Sequence, residues 1–176
     1  MFDTLDEFGG SDVYDVTSLL DFVSTIEDAD VNRIGMFGAS RGGMQTHLAV
    51  KQLKNIKAIA TIAGSTDLSK GLVYRPAMEN VYMKRIPDYE RNKQQELDKR
   101  SVLKWVDELS PDIPILLLHG TDDKRVSVKH SEDFAKALTK HNIPHKLVLY
   151  PGDNHGLIRN RDNVNREIVD WFNKYL

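Results

Sequence analysis

Arg33-Ile34-Gly35-Met36-Phe37-Gly38-Ala39-Ser40-Arg41-Gly42-Gly43 runs from a short apolar stretch into a glycine-rich turn. The apolar stretch Arg33–Gly38 predicts a buried β-strand, and a helix is predicted from about Met44 to Leu53. The turn between them holds Gly38-Ala39-Ser40-Arg41-Gly42, a G-x-S-x-G pattern. Three fixed residues make a weak pattern, but its place between a strand and a helix is where a nucleophile elbow belongs. Such an elbow holds the serine in a strained turn. Flanking glycines remove side chains that would clash there, and the helix N-terminus faces developing oxyanion charge. An ordinary glycine-rich turn, or a phosphate cradle, fits the same residues. Gly35, Gly38 and Gly42 do not make the G-x-G-x-x-G of a dinucleotide site.

Working outward, strand and helix patterns alternate. Val13, Val16, Leu19, Leu20, Val23 and Ile26 recur at helical spacing after Ser11-Asp12, which can cap a helix start. Ile56–Ala63 reads as a second strand. Residues 65–90 read as irregular, with Pro76 and Pro87 as breakers, and residues 91–109 as a charged helix. Ile113–His119 is a third strand, Ser131–Lys140 a helix and Lys146–Tyr150 a fourth strand. A last helix carries Val164, Ile168, Val169, Trp171 and Phe172. Short strands that are apolar throughout and alternate with helices predict an α/β fold, a parallel sheet with helices on both faces. Function in such sheets gathers beyond the C-terminal ends of the strands.

Two further loops lie there. His119-Gly120-Thr121-Asp122-Asp123-Lys124-Arg125-Val126 follows the third strand, and Gly152-Asp153-Asn154-His155-Gly156 follows the fourth. A serine hydroxyl is a poor nucleophile at neutral pH and needs an imidazole to take its proton. A carboxylate then fixes the imidazole tautomer. The order serine, aspartate, histidine, each after a parallel strand, is a known hydrolase order. Local sequence leaves Asp122 and Asp123 open as the acid.

Composition limits the alternatives. The 176 residues carry 24 Lys+Arg and 26 Asp+Glu, a net of −2, with 40% hydrophobic residues. That is a globular balance rather than a disordered one. The longest apolar run, Ile115–Leu118, suits a strand and falls far short of a membrane span. The acidic start has no apolar signal core, so a cytoplasmic protein without membrane partners is expected. Zero cysteines exclude a disulfide scaffold, a thiol nucleophile and a cysteine-ligated metal. Residues 1–30 hold nine acidic and no basic residues, leaving 24 basic and 17 acidic in the rest. Those basic residues are scattered, without a stripe or aromatic interleaving, so no nucleic-acid partner is expected. His47, His130, His141 and His145 lack ligand spacing and read as surface or satisfied residues. Trp105 and Trp171 read as packing anchors, and Asp67 as a turn residue or part of a pocket mouth.

The whole set resembles the α/β-hydrolase fold and, more closely, the prolyl oligopeptidase family of serine peptidases. Asp6–Val13 is similar to the segment that enters the helix before the family's nucleophile strand. Arg33–Gly43 is similar to the nucleophile strand and elbow. Leu117-Leu118-His119-Gly120 with Asp123 and Val126 is similar to the acid loop, and Tyr150–Gly156 to the histidine loop. The family spacing H-G-x-x-D-x-x-V places the acid at Asp123. The resemblance implies a peptidase-type serine hydrolase with Ser40 as nucleophile, His155 as base, Asp123 as its orienting acid and the Arg41 N–H as oxyanion donor. Peptide or small acyl compounds are the implied substrates, an esterase or lipase the alternative, and no metal or organic cofactor is implied. The excursion of residues 65–110 is where a cap would sit, making Tyr74, Tyr82 and Met83 candidate substrate contacts.

The family's domain has eight strands, the nucleophile strand being the fifth. Residues 1–176 therefore look like a partial domain holding strands 5 to 8. The oxyanion donor that relatives supply from the region after the third strand has no counterpart here. Loss of one such donor typically costs about 10²–10³ in rate, so weak activity or a catalytically silent half-domain is also in view. The strand before Ser40 would lie at the sheet edge, open to a second copy or to a complementing chain.

Overall fold

The computed structural model describes residues 6–176, so Asp3 of the acidic segment lies outside the described residues. Four strands, β1 (Ile34–Ala39), β2 (Ile56–Ile62), β3 (Ile115–Gly120) and β4 (His145–Tyr150), form one parallel sheet in the order β1-β2-β3-β4. Parallel neighbours need crossover connections. The first is α3 (Arg41–Gln52) and the third α7 (Lys129–Lys140). Two short helices, α1 (Val13–Thr17) and α2 (Leu19–Val23), precede β1, and α8 (Arg161–Tyr175) ends the chain.

Alternate residues of each strand face opposite layers. Ile59, Ile115 and Leu117 pack with Met44 and Leu48 of α3 and with Phe134 and Leu138 of α7. Ala58, Ala60, Leu116 and Leu118 pack instead with Leu157 and with Val164 and Trp171 of α8. Both sheet faces are covered, which explains why β3 is apolar at consecutive positions. Complete burial of a leucine side chain contributes roughly 1.5–3 kcal/mol, and Leu116, Leu117 and Leu118 are all buried. Trp105 and Trp171 are buried, as packing anchors should be.

Several local expectations are corrected. In the second crossover residues 65–90 are not irregular, and the charged helix expected over residues 91–109 ends at Lys99. The crossover holds α4 (Leu68–Tyr74), α5 (Met78–Arg85) and α6 (Tyr89–Lys99), followed by 3₁₀ turns at Val102–Lys104 and Val106–Glu108. Pro76 and Pro87 fall between these helices, so the prolines punctuate helices rather than abolish them. Leu68, Tyr82, Tyr89, Leu97 and Trp105 share the α3/α7 core, and that shared burial stabilises helices too short to persist alone. The single helix expected from Val13 to Ile26 is two five-residue helices. Asp12 does not cap the first of them. Its carboxylate accepts from the Gly9 N–H at 2.9 Å, the Gly10 N–H at 2.8 Å and Gln45 Nε2 at 2.8 Å. Helix α3 starts at Arg41, directly after Ser40, rather than at Met44.

Among the described residues β1 has a neighbouring strand on one side only. Phe37, on that strand, is 52% exposed. No helix among the described residues is long and apolar enough to cross a membrane.

Candidate active site

Ser40 joins the end of β1 to the start of α3 with φ 57° and ψ −120°. A non-glycine residue held there stores roughly 1–3 kcal/mol of strain. Its neighbours impose the conformation. The Ser40 N–H donates to the Ile62 carbonyl at 2.7 Å, and its carbonyl accepts from the N–H groups of Gly43 at 3.1 Å and Met44 at 3.3 Å. At Gly38 a Cβ would strike the Gly42 carbonyl and approach Thr46 Oγ1 to 2.5 Å, so the turn closes only over glycine. Gly42 differs from expectation: no atom lies within 4 Å of a Cβ placed there. Of the two flanking glycines, only Gly38 is sterically required.

Arg41 is the first residue of α3. Its backbone N–H is one of the first-turn amides without an intrahelical acceptor, at the positive end of the helix dipole. Its side chain turns to the acidic N-terminal segment, meeting Asp6 at 2.8 Å and Asp12 at 3.6 Å, with the guanidinium over Phe8. Arg85 also pairs with Asp6. Part of the acidic N-terminal segment thus neutralises arginines beside the elbow.

Asp123 is buried beyond β3. Its Oδ1 accepts from the N–H groups of Arg125 at 2.7 Å and Val126 at 3.0 Å. Its Oδ2 lies 2.7 Å from His155 Nδ1 and 3.1 Å from His119 Nε2. Burial pushes the carboxyl up, but the hydrogen bonds from His119, His155, Val126 and Arg125 outweigh it and hold Asp123 well below the usual carboxylate range. An ionised carboxylate only accepts, so His155 carries its proton on Nδ1 and its Nε2 is left as a lone pair. Asp122, the other aspartate of the pair, is exposed and pairs with Lys124. Among the described residues no hydrogen bond joins Ser40 to His155. Such bonds often tighten only when substrate binds.

The sequence assigned no role to His119 or Asp153. His119 is completely buried at the end of β3. Its Nε2 faces two acceptors, Asp123 Oδ2 and the Val126 carbonyl at 3.0 Å, and therefore donates. Its Nδ1 accepts from Ser131 Oγ at 2.7 Å. His119 and His155 thus meet the same oxygen of Asp123, Oδ2. Asp153 shapes the histidine loop by accepting from the N–H groups of Asn154 and Asn160 and from Asn160 Nδ2. Gly120 lets this loop approach the acid loop. A Cβ on Gly120 would collide with the Asp153 carbonyl, which accepts the Asp122 N–H at 2.9 Å. The available signals are a histidine four residues before Asp123 and an aspartate two before His155.

A cavity of about 290 Å³ opens beside Ser40. Helices α4 and α5 supply Tyr74 and Tyr82 to its wall, Arg75 follows the end of α4, and the acid loop supplies Arg125 and Val126. Tyr74 donates its hydroxyl to the Asp123 carbonyl at 2.7 Å. Tyr82 is buried edge-on against Phe8, and burial pushes its hydroxyl up to about 12, so it stays protonated. Met83 does not line this cavity and faces another depression near Asp88. Asp67 caps α4, accepting the Lys70 N–H at 3.1 Å.

His130 is a satisfied buried residue. Its Nδ1 accepts from the Thr66 N–H at 3.1 Å, and burial pushes the ring down to about 4 against the opposing pull of Asp67. His47 departs from the surface-or-satisfied expectation. It is buried in α3 with neither ring nitrogen hydrogen bonded, and burial alone pushes it down to about 3.

A profile of the prolyl oligopeptidase family matches residues 3–176. The acylamino-acid-releasing enzyme of Rattus norvegicus is 29% identical over 165 residues, covering 85% of this chain and 21% of the rat protein. The uncharacterized peptidase YuxL of Bacillus subtilis is 28% identical, covering 97% of this chain and 26% of its own length. A Mycobacterium tuberculosis puromycin-hydrolyzing peptidase superposes with a TM-score of 0.82 at 25% identity, over 97% of this chain and 26% of that one. The chain therefore spans about a fifth to a quarter of the length of these relatives.

Proposed function

The chain belongs to the prolyl oligopeptidase family, and from that premise we propose that it carries the nucleophile, base and acid of a peptidase-type serine hydrolase. The observation that supports this most is the 2.7 Å contact from His155 Nδ1 to buried Asp123, made across loops from two different strands. In this reading Ser40 Oγ attacks the carbonyl of a peptide or acyl-aminoacyl bond and its proton passes to His155 Nε2. The carbonyl oxygen becomes an oxyanion that takes the Arg41 N–H. As the C–N bond breaks, His155 returns the proton to the leaving amine. Water, deprotonated by the same imidazole, then releases the acyl group from Ser40. Asp123 keeps the imidazole in the required tautomer and stabilises the imidazolium. Tyr74 and Tyr82 are the proposed substrate contacts, and the helical excursion of residues 65–110 is the proposed cap.

If the Arg41 N–H, the donor proposed among the described residues, acts without a second one, turnover should be lower by about 10²–10³ than with two donors. The exposed edge of β1 is proposed to receive a second copy or a complementing chain, and a cytoplasmic setting belongs to the same reading. The same three side chains would serve an esterase, which hydrolysis of short acyl esters against aminoacyl-arylamides separates. A silent half-domain is separated by fluorophosphonate labelling. Label should attach to the chain and vanish in Ser40→Ala. Asp123→Asn should slow it by about 10⁴, as a wrongly set tautomer does, and Asp122→Asn should leave it unchanged. Absence of label that depends on Ser40 refutes the hydrolase reading for this chain.

A further inference from the structure

The cavity beside Ser40 has a polar corner that the hydrolytic chemistry does not use. Ser65, Gly71 and His130 meet there, from the turn after β2, from α4 and from α7. His130 is satisfied inside the fold through Nδ1 alone. That nitrogen faces the N–H groups of Thr66 at 3.1 Å and Asp67 at 3.3 Å. The Thr66 hydroxyl gives its own proton to the His130 carbonyl at 2.9 Å. Nδ1 therefore keeps its lone pair. Burial holds the ring neutral against the pull of Asp67, so its one proton sits on Nε2. Among the described residues neither His130 Nε2 nor Ser65 Oγ has a hydrogen-bond partner. His130 is 3% exposed, and a side chain so enclosed seldom leaves a donor unpaired. A Cβ placed on Gly71 would lie 3.8 Å from His130 Nε2 and 3.9 Å from Ser65 Oγ. The two atoms thus flank one space, which Gly71 leaves open. His130 also borders a second depression, with Val73 and Lys129, but Ser65 and Gly71 line the cavity of Ser40 and not that depression.

We propose that Ser65 and His130 form a specificity site for a neutral carboxamide, in which Nε2–H donates to the amide oxygen and Ser65 Oγ accepts from the amide N–H. The substrate class is a peptide or acyl compound with glutamine or asparagine as the residue whose carbonyl Ser40 attacks. A donor-only N–H beside a hydroxyl that can accept matches the one acceptor and one donor face of a carboxamide. Neither group carries a charge, so the corner offers a carboxylate no counter-ion for the water it would lose. A thioether or alkyl side chain of the same length would leave both groups unpaired. This inference rests on the reading of Ser40 as the nucleophile, because it is Ser40 that makes the cavity a substrate pocket.

Binding to the Ser40→Ala chain tests the site without requiring turnover. N-acetyl-Ala-Gln-methylamide carries the carboxamide. The Met peptide matches it in length without hydrogen-bonding groups, and the Glu peptide carries the charge. Calorimetric titration should give the Gln peptide a Kd about tenfold below that of the Met peptide, about what two neutral hydrogen bonds add, and below that of the Glu peptide. Ser65→Ala removes one bond. His130→Asn removes the Nε2–H while keeping an acceptor for the Thr66 N–H. Each variant should cut the preference for Gln over Met to about threefold, and the two together should abolish it. Equal affinities for Gln and Met, tighter binding of Glu than of Gln, no saturable binding of the Gln peptide, or a preference that survives Ser65→Ala undiminished overturns the proposal. Fluorophosphonate labelling of the wild-type chain is read separately. Label without a Gln preference removes the carboxamide site and leaves the hydrolase reading intact. A Gln preference without label removes the hydrolase reading and leaves a carboxamide-binding pocket.

Discussion

Lowering the pH from 7 to 5 should remove about 4 kcal/mol of folding stability through two buried imidazoles, His47 and His130. His47 is 1% exposed, sits edge-on to Phe134 at 4.9 Å and has no hydrogen-bond partner for either nitrogen. Burial holds it neutral down to about pH 3. Burial likewise holds His130 neutral to about pH 4, although Asp67 and Asp133 pull the other way and His119 and Lys70 add to the depression. In the unfolded chain both rings titrate near 6.5. Between the folded and unfolded values the unfolded state therefore binds more protons, and acid favours unfolding. The stability tied to these rings is fully present above the unfolded value and is lost as pH falls toward the folded values. Integrated from pH 7 to pH 5, each ring loses about 2 kcal/mol, a sizeable part of a typical domain's 5–15 kcal/mol. Asp123 and Asp153 are held below the usual carboxylate range and offset none of this in that window. Urea unfolding followed by fluorescence of buried Trp105 and Trp171 reads the loss. His47→Leu isolates one ring: it removes two unpaired buried nitrogens, so its stability at pH 7 should hold or rise. Its loss between pH 7 and 5 should be smaller than the wild type's by about 2 kcal/mol. Equal acid losses in the two proteins would refute the burial argument for His47.

The two glycines of the elbow should respond in opposite directions. Gly38→Ala forces a Cβ into backbone of α3 and should cost about 3 kcal/mol or more, whereas Gly42→Ala meets open space and should gain up to about 1 kcal/mol of helix propensity; thermal melts of both variants check this, and equal destabilisation would contradict it. The open edge of β1 should drive self-association, so sedimentation should show concentration-dependent dimers that Phe37→Lys suppresses, while a wild-type chain that stays monomeric across concentrations would remove the homodimer reading.

Much of the architecture was legible in the chain because it depends on local pattern. Continuous apolar strands such as Ile115–Leu118 announce burial on both faces, and helix-spaced apolar residues such as Phe134 and Leu138 announce one buried side. Residues 65–90 were misread because stretches broken by Pro76 and Pro87 carry little periodicity. Those helices are stabilised by Tyr82, Tyr89 and Leu97 entering a core built mainly by other elements. His47 was misread because nothing in its neighbours along the chain marks it as enclosed by α7.

The sequence by itself determined which side chains could act and in what order they come: a serine after β1, an aspartate pair after β3 and a histidine after β4. Parallel topology then brings those loops to the same end of the sheet. Only the tertiary structure set Asp123 rather than Asp122 against His155 and His119, excused Gly42 from the turn and left Arg75 facing the same cavity as Arg125. Those outcomes depend on distances between residues far apart in the chain, or on which side of a loop faces inward. Neither is encoded in spacing along a strand or helix, because both follow from how the layers close over one another.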